Sequence, residues 1–295
     1  TRNESSAASD VYKRQILLLL LISSYEGYCQ LIESAGPNSS GLAGLNANNV
    51  DVWSINYNVG QLQNLERSSI AVSFHQPFLL SDFTTANMVL AICSKKGTFG
   101  LNYSNYGNEY FQINSTGFGY AMKLGENITS GVKLNYHHIN SGEFYNSKSI
   151  LSTDIGFAAN LTNELHLGFS LINPTFSKID DYANERIPTV LQFAAGYHFS
   201  SELSLQAGVK KDMIYPLSFI TAILYSPNEK VSIRGGVGTN PSLASLGINV
   251  HLNQIQLIFA TQIHQILGWS PDFGIAYQFN YCLLYTSPSP RDNTG

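Results

Sequence analysis

Charge is what this chain has least of. Asp, Glu, Lys and Arg make up 12% of its 295 residues, against roughly 25% in ordinary soluble domains. The 16 basic and 20 acidic residues leave a net charge of −4. No basic cluster interrupts the sequence, which argues against a nucleic-acid partner. Cysteine is scarce too, with Cys29, Cys93 and Cys282 far apart. Cys29 falls at the end of an expected export signal and Cys282 in an unpatterned tail. Cys93 then stands alone, and neither a disulfide nor a cysteine metal site is expected. Long hydrophobic runs are missing: Ile16–Ile22 has seven apolar residues, well short of the ~20 a membrane helix needs. No glycine-rich loop leads into a helical pattern, so nothing offers a phosphate cradle. Tryptophan is down to 2 residues while Tyr (17) and Phe (16) are plentiful, a balance that suits strands and interfacial girdles.

What the chain does have is alternation. The segment 153–161 puts Ile155, Phe157, Ala159 and Leu161 on one face and Asp154, Gly156, Ala158 and Asn160 on the other. Fourteen such segments can be drawn between residues 68 and 279. Their connections alternate between short turns, such as Lys95-Lys96 and Asn253-Gln254, and longer loops, such as 75–85 and 174–187. Apolar outside, polar or small inside, an even strand number and loops of unequal length predict an all-β, 14-stranded antiparallel transmembrane β-barrel. A sheet edge cannot stay open in lipid, so the strands must close. The rival is a soluble sandwich with its apolar face buried; periodicity alone does not exclude it, but low charge and loop asymmetry disfavour it.

The same phase assigns the faces. Val132, Leu134, Phe169, Phe193, Ile248 and Phe273 point outward. Lys133, Asn135, His166, Gln192, His198, Gln206, Arg234 and Asn249 point into the lumen. The strand at 217–226 is ambiguous, because Phe219, Ile220, Ile223 and Leu224 are apolar on both faces. The loop at 75–85 carries Pro77, Phe78, Leu79 and Leu80, apolar residues placed to anchor in lipid or hold a partner.

The ends read differently. Residues 1–15 and 281–295 are unpatterned, resemble translated sequencing adapters, and are set apart from the fold. Residues 16–29 read as a signal-peptide core with its cleavage region. Residues 30–67 precede the first strand, and the barrel covers 68–280. Together these place the chain in the bacterial outer membrane, with lipid as its first partner.

No catalytic chemistry emerges. His166, His198 and His251 lie on the inward phase near one rim, where a three-histidine metal site is conceivable. Their strands are far apart in order and no carboxylate motif joins them, so ordinary luminal residues are the simpler reading. Asp154 and Ser170 face inward near His166, but serine is abundant enough for such groupings to arise by chance. No enzyme activity, cofactor or metal is expected. Paired glycines such as Gly117 and Gly119 sit in strand phase, as close-packing positions do.

Residues 34–44, rich in glycine and alanine, and the stretch 51–62 resemble the opening of FadL-superfamily barrels. Asp51, Trp53, Asn58 and Leu62 match the family's pattern, whereas Val59, Gly60 and Gln61 depart from it. Residues 187–196 are similar to a strand start in the PorV/PorQ branch. This resemblance implies that 30–67 folds into the lumen as a plug. It also implies one of two non-enzymatic roles. One is an accessory or adaptor in protein secretion and surface display, with type IX secretion-system proteins or secreted cargo as partners. The other is passive uptake of hydrophobic small molecules. The altered segment 58–62 and the short loops favour the secretion role.

Overall fold

The computed structural model describes residues 35–140, 147–178, 186–213 and 215–279, all within a unit spanning Ile32–Gly295. The expected flanks 1–15 and 281–295, the signal segment 16–29, and parts of the loops 140–149 and 174–187 lie outside the described residues. No helix among the described residues is long and apolar enough to cross a membrane.

Fourteen antiparallel strands run in chain order: β1 Ser69–His75, β2 Thr85–Cys93, β3 Thr98–Gly107, β4 Gln112–Lys123, β5 Ile128–Asn140, β6 Lys148–Asn160, β7 Leu165–Ile172, β8 Val190–His198, β9 Leu203–Asp212, β10 Ser218–Asn228, β11 Val231–Gly238, β12 Leu243–Leu252, β13 Ile255–His264 and β14 Gly268–Gln278. Each pairs with its sequence neighbours, and β1 pairs with both β2 and β14, so the sheet is a closed barrel. Closure gives every ladder a partner, the condition a sheet must meet in hydrocarbon. One end carries the short turns and both chain ends of the barrel, and is the periplasmic end; the other carries the long loops.

The alternation decides the faces as expected. Val132, Leu134, Tyr136, Leu246, Phe273 and Ile275 are all exposed on the outer wall, while Lys133, Asn135, Gln192 and Asn249 are buried on the inner one. Strand limits fall within two or three residues of the pattern-based ones. The largest departure is β14, which residue alternation alone places at 271–279. Pro271 would ordinarily interrupt a ladder, but it lies opposite Thr261 and its carbonyl accepts from the Gln76 amide at 3.0 Å, which carries the strand back to Gly268. The ambiguous strand β10 turns Phe219 and Ile223 out and Ile220 and Ala222 in. Its inner face is apolar because it meets an apolar patch inside the barrel, described below.

Candidate functional site

Residues 35–67 lie inside the barrel. They form one short helix, α1 (Pro37–Ser40), and two 3₁₀ turns, Val52–Asn56 and Val59–Asn64. Nearly the whole segment is buried. It fits because the wall lacks side chains where the segment passes. Gly100, Gly119, Gly131, Gly156, Gly168, Gly196, Gly208, Gly236, Gly247 and Gly274, one on each of β3–β9, β11, β12 and β14, face it directly. A Cβ on Gly131 would fall 2.8 Å from the Val59 carbonyl, and one on Gly236 would fall 2.8 Å from the Leu42 carbonyl carbon. A Cβ on Gly168 would overlap the Ala47 carbonyl. Real side chains never come so close, so this belt of bare wall admits the segment by shape.

Two apolar clusters and several polar anchors hold the segment, Gln192, Asn58 and Ser40 among them. Val52, Trp53, Ile55, Tyr57, Val59 and Leu62 pack on Ala71, Val89, Ala91, Ala121, Ile258 and Ala276. On the opposite side Leu42, Ala43, Leu45 and Ala47 pack on Ala194, Ile220 and Ala222, which accounts for the inward apolar face of β10. Gln192 on β8 is the densest anchor. Its Oε1 accepts from the Asn46 and Ala47 amides at 3.0 and 2.7 Å, and its Nε2 donates to the Gly44 carbonyl at 2.8 Å. Asn58 donates to the carbonyls of Ala47 and Phe157 and accepts from the Gly60 amide, so it ties two parts of the segment to each other and to β6. Ser40 donates to Asp272 of β14 at 2.7 Å. Gln192→Ala strands two buried amides and a carbonyl. It is expected to cost about 2–4 kcal/mol, read as a lower denaturation midpoint in detergent with the barrel's circular dichroism retained.

The matching residues of the 51–62 stretch now have structural places. Asp51 precedes the first 3₁₀ turn, its amide donating to Ser54 Oγ at 3.1 Å and its carboxylate accepting from Asn38 at 2.9 Å. Burial raises the Asp51 carboxyl above its ordinary value, against the opposing hydrogen bond from Asn38. Burial, with the adjacent Asp51, pushes Tyr57 well above its own ordinary value. Trp53 is fully buried between Gly36 and Gly274, and Leu62 sits on Gly100. Gly60, one of the departures from the family pattern, is required here, because a Cβ would lie 2.7 Å from the Gly156 carbonyl oxygen.

Above the segment the lumen is narrow and polar. Lys133 is wholly buried and pairs with Asp154 at 3.7 Å. Asp154 also accepts from Asn135 Nδ2 at 2.8 Å and from the Asn173 amide at 3.0 Å. His137 bridges Ser115 and Ser152 at 2.7 and 2.9 Å. A second buried pair, His75 and Asp272 at 3.4 Å, closes over Ser40. The sequence pattern singled out Lys133, Asn135 and Gln192 but missed Asp272 and His75. Their inward phase was readable, yet their meeting depends on β1 pairing with β14 across the whole chain.

The histidines part company. His166 and His198 meet edge to face with ring centroids 4.9 Å apart. They are on neighbouring strands, whereas His251 is on β12. Among the described residues no group of three His, Cys, Asp or Glu could hold a metal ion. Asn249 is buried on the inner wall with Oδ1 unpartnered, and Gln206 and Arg234 line a periplasmic cavity with the two histidines.

The outer wall has one hollow with a particular neighbour. Leu205, Thr221, Ile223, Gly235, Gly236 and Val237 line an apolar depression of about 230 Å3 over β9–β11. Gly235 leaves the outer face bare, and Gly236 beside it leaves the inner face bare against Leu42 and Ala43. Here one layer of backbone separates an outer apolar hollow from an inner apolar cluster, as it also does at Gly274, where a hollow of about 370 Å3 over β1 and β12–β14 backs onto Trp53.

A closed barrel with a lipid-facing apolar exterior, unequal loops and a buried inner segment is an integral protein of the bacterial outer membrane. Its fold is shared with FadL-type barrels. The toluene transporter TbuX of Ralstonia pickettii aligns over 83% of this chain and 98% of its own, at 10% identity and a TM-score of 0.64. The CymD monoaromatic hydrocarbon channel aligns over 86% and 100%, at 11% identity and 0.65. A FadL homologue of Pseudomonas aeruginosa aligns over 86% and 100%, at 11% and 0.57. At such identities the likeness is one of fold. No family model matches the chain, and no curated protein matches it.

Proposed function

We propose that this chain is a non-enzymatic channel for passive uptake of small hydrophobic molecules across the outer membrane. The observation that carries the reading is the thin wall at Gly235–Gly236. A hydrophobic solute partitions into lipid and fits an apolar hollow on the barrel's flank, and at that point one layer of backbone separates it from Leu42, Ala43 and Ile220. The ladder between Ile223–Gly235 and Ala222–Gly236 is intact, so passage requires a local opening there. The register shift between Tyr225 and Asn228 on the same strand pair is a place from which such an opening can start. The fold shared with a toluene transporter and a hydrocarbon channel supports the reading, and it reverses the preference for secretion drawn from the sequence.

Gly235→Trp tests it. The nearest atoms to a Cβ there are 3.7 Å away, so the indole fills the hollow without disturbing the wall. Toluene uptake by cells carrying this variant is expected to fall toward that of cells lacking the protein, at unchanged barrel content of the membrane. Unchanged uptake would defeat the proposal.

A second reading, an accessory role in protein secretion or surface display, draws on the polar lumen with its buried Lys133–Asp154 and His75–Asp272 pairs. Deleting the gene and measuring surface delivery of secreted proteins separates the two.

A further inference from the structure

A cavity of about 390 Å3 lies between the inner segment and the wall toward the periplasmic end, on the inner face of the same strands whose outer face carries the hollow. The segment contributes Asn48 and Asp51; the wall contributes His166, His198, Gln206 and Arg234, among others. Its size is that of small-molecule sites, which run from about 300 Å3 upward.

Two features point to an occupant. Asp51 and Arg234 carry opposite charge and attract each other across one cavity, yet they do not close to a direct ion pair as Lys133–Asp154 and His75–Asp272 do. Buried polar atoms are also left over on both sides. Arg234 Nε, Asp51 Oδ1, Asn48 Oδ1 and Gln206 Oε1 have no partner, and Asn48 and Gln206 are only 8% and 7% exposed. Buried polar groups in folded proteins are nearly always partnered. Here a lone donor on a cationic side chain faces lone acceptors on two carboxamides across an open space.

We propose that this cavity binds a small carboxylate rich in hydroxyl groups, of the sugar-acid type, with its carboxylate on Arg234 and its hydroxyls on Asn48 and Gln206. The guanidinium matches a carboxylate in shape and charge. A hydroxyl both donates and accepts, so it satisfies a carboxamide oxygen while receiving from a neighbouring amide. An apolar ligand would leave these atoms unpaired, a simple cation would meet Arg234, and a carboxylate without hydroxyls would meet Asp51 with nothing to donate to it. Because Asn48 belongs to the segment and Gln206 and Arg234 to the wall, the bound molecule ties one to the other. The site shares β9–β11 and Leu42 with the uptake reading, but it is argued from its own polar atoms.

The test is calorimetry on the full-length barrel in detergent with three probes of six carbons: gluconate, sorbitol and hexanoate. Gluconate is expected to bind saturably, with sorbitol and hexanoate at least about tenfold weaker, the effect of losing one charge-assisted hydrogen bond. Arg234→Gln and Gln206→Leu should each weaken gluconate about tenfold or more. Heat-modifiable gel migration and circular dichroism confirm that each variant is folded, and the wall variant Gln206→Leu removes one long bond to the segment, from Gln206 Nε2 to Asn49 Oδ1 at 3.5 Å. No saturable gluconate binding, gluconate no tighter than its two analogues, or equal gluconate binding by the original protein and Arg234→Gln would each overturn the proposal.

Discussion

Gly168→Leu should drive the inner segment out of its seat and open the barrel. A side chain at 168 would occupy the place of the Ala47 carbonyl, and backbone on both sides leaves it nowhere to rotate. Ordinary overpacking costs about 1–3 kcal/mol. Here the clash is backbone against side chain at the centre of the segment's path, so the cost reaches at least the upper end of that range. The strands themselves keep their ladders. The expected phenotype is a folded barrel by circular dichroism whose segment has become accessible: chymotrypsin cleaves near Trp53 and Tyr57, and planar bilayers show ion conductance that the original protein lacks. Gly235→Leu is the control. It sits on β11 with nearest atoms at 3.7 Å, on the other face of the wall, and should leave both readouts unchanged. Conductance from both variants alike would show that the belt of bare wall does not seat the segment.

Asp154→Ala carries the other large effect. It leaves the Lys133 ammonium buried without its partner, takes the Asp154 acceptor from the Asn173 amide, and leaves Asn135 Nδ2 with only its longer bond to Ser152 Oγ at 3.4 Å. Breaking a buried pair from one side costs about 3–5 kcal/mol, and here the hydrogen bonds add to the loss. Lys133→Met removes the buried cation. Combined with Asp154→Ala, it should recover part of the stability, because no unpaired charge is left. The measurement is guanidinium unfolding of the barrel in lipid, compared across the two single variants and the double one. Equal destabilisation by Asp154→Ala with and without Lys133→Met would show that the pair contributes nothing as a pair.

The barrel was legible in the sequence because its signal is local and repeated. Strand limits follow from residue alternation, and the two faces follow from the same phase. Val132 outside and Lys133 inside are settled by one step along β5. The luminal polar residues were legible as residues with a direction. What they do was not. Gln192 reads as one more inward carboxamide until the chain returns and places Asn46, Ala47 and Gly44 against it. The glycines gave a weak signal: Gly168 and Gly236 sit in inward phase, but only the path of residues 35–67 shows why they must be bare. Gly60 looked like a departure from a family pattern and proves to be fixed by Gly156.

Sequence alone determined that this protein is a lipid-facing cylinder of fourteen strands, since alternation, low charge and unequal loops are properties of short stretches read one at a time. Only the tertiary structure decided what fills the cylinder. The seating of the inner segment, the His75–Asp272 pair and the cavity around Arg234 each join residues more than a hundred positions apart, or strands that meet only when β14 closes on β1. Their contacts are set by closure of the whole sheet, which no local pattern encodes.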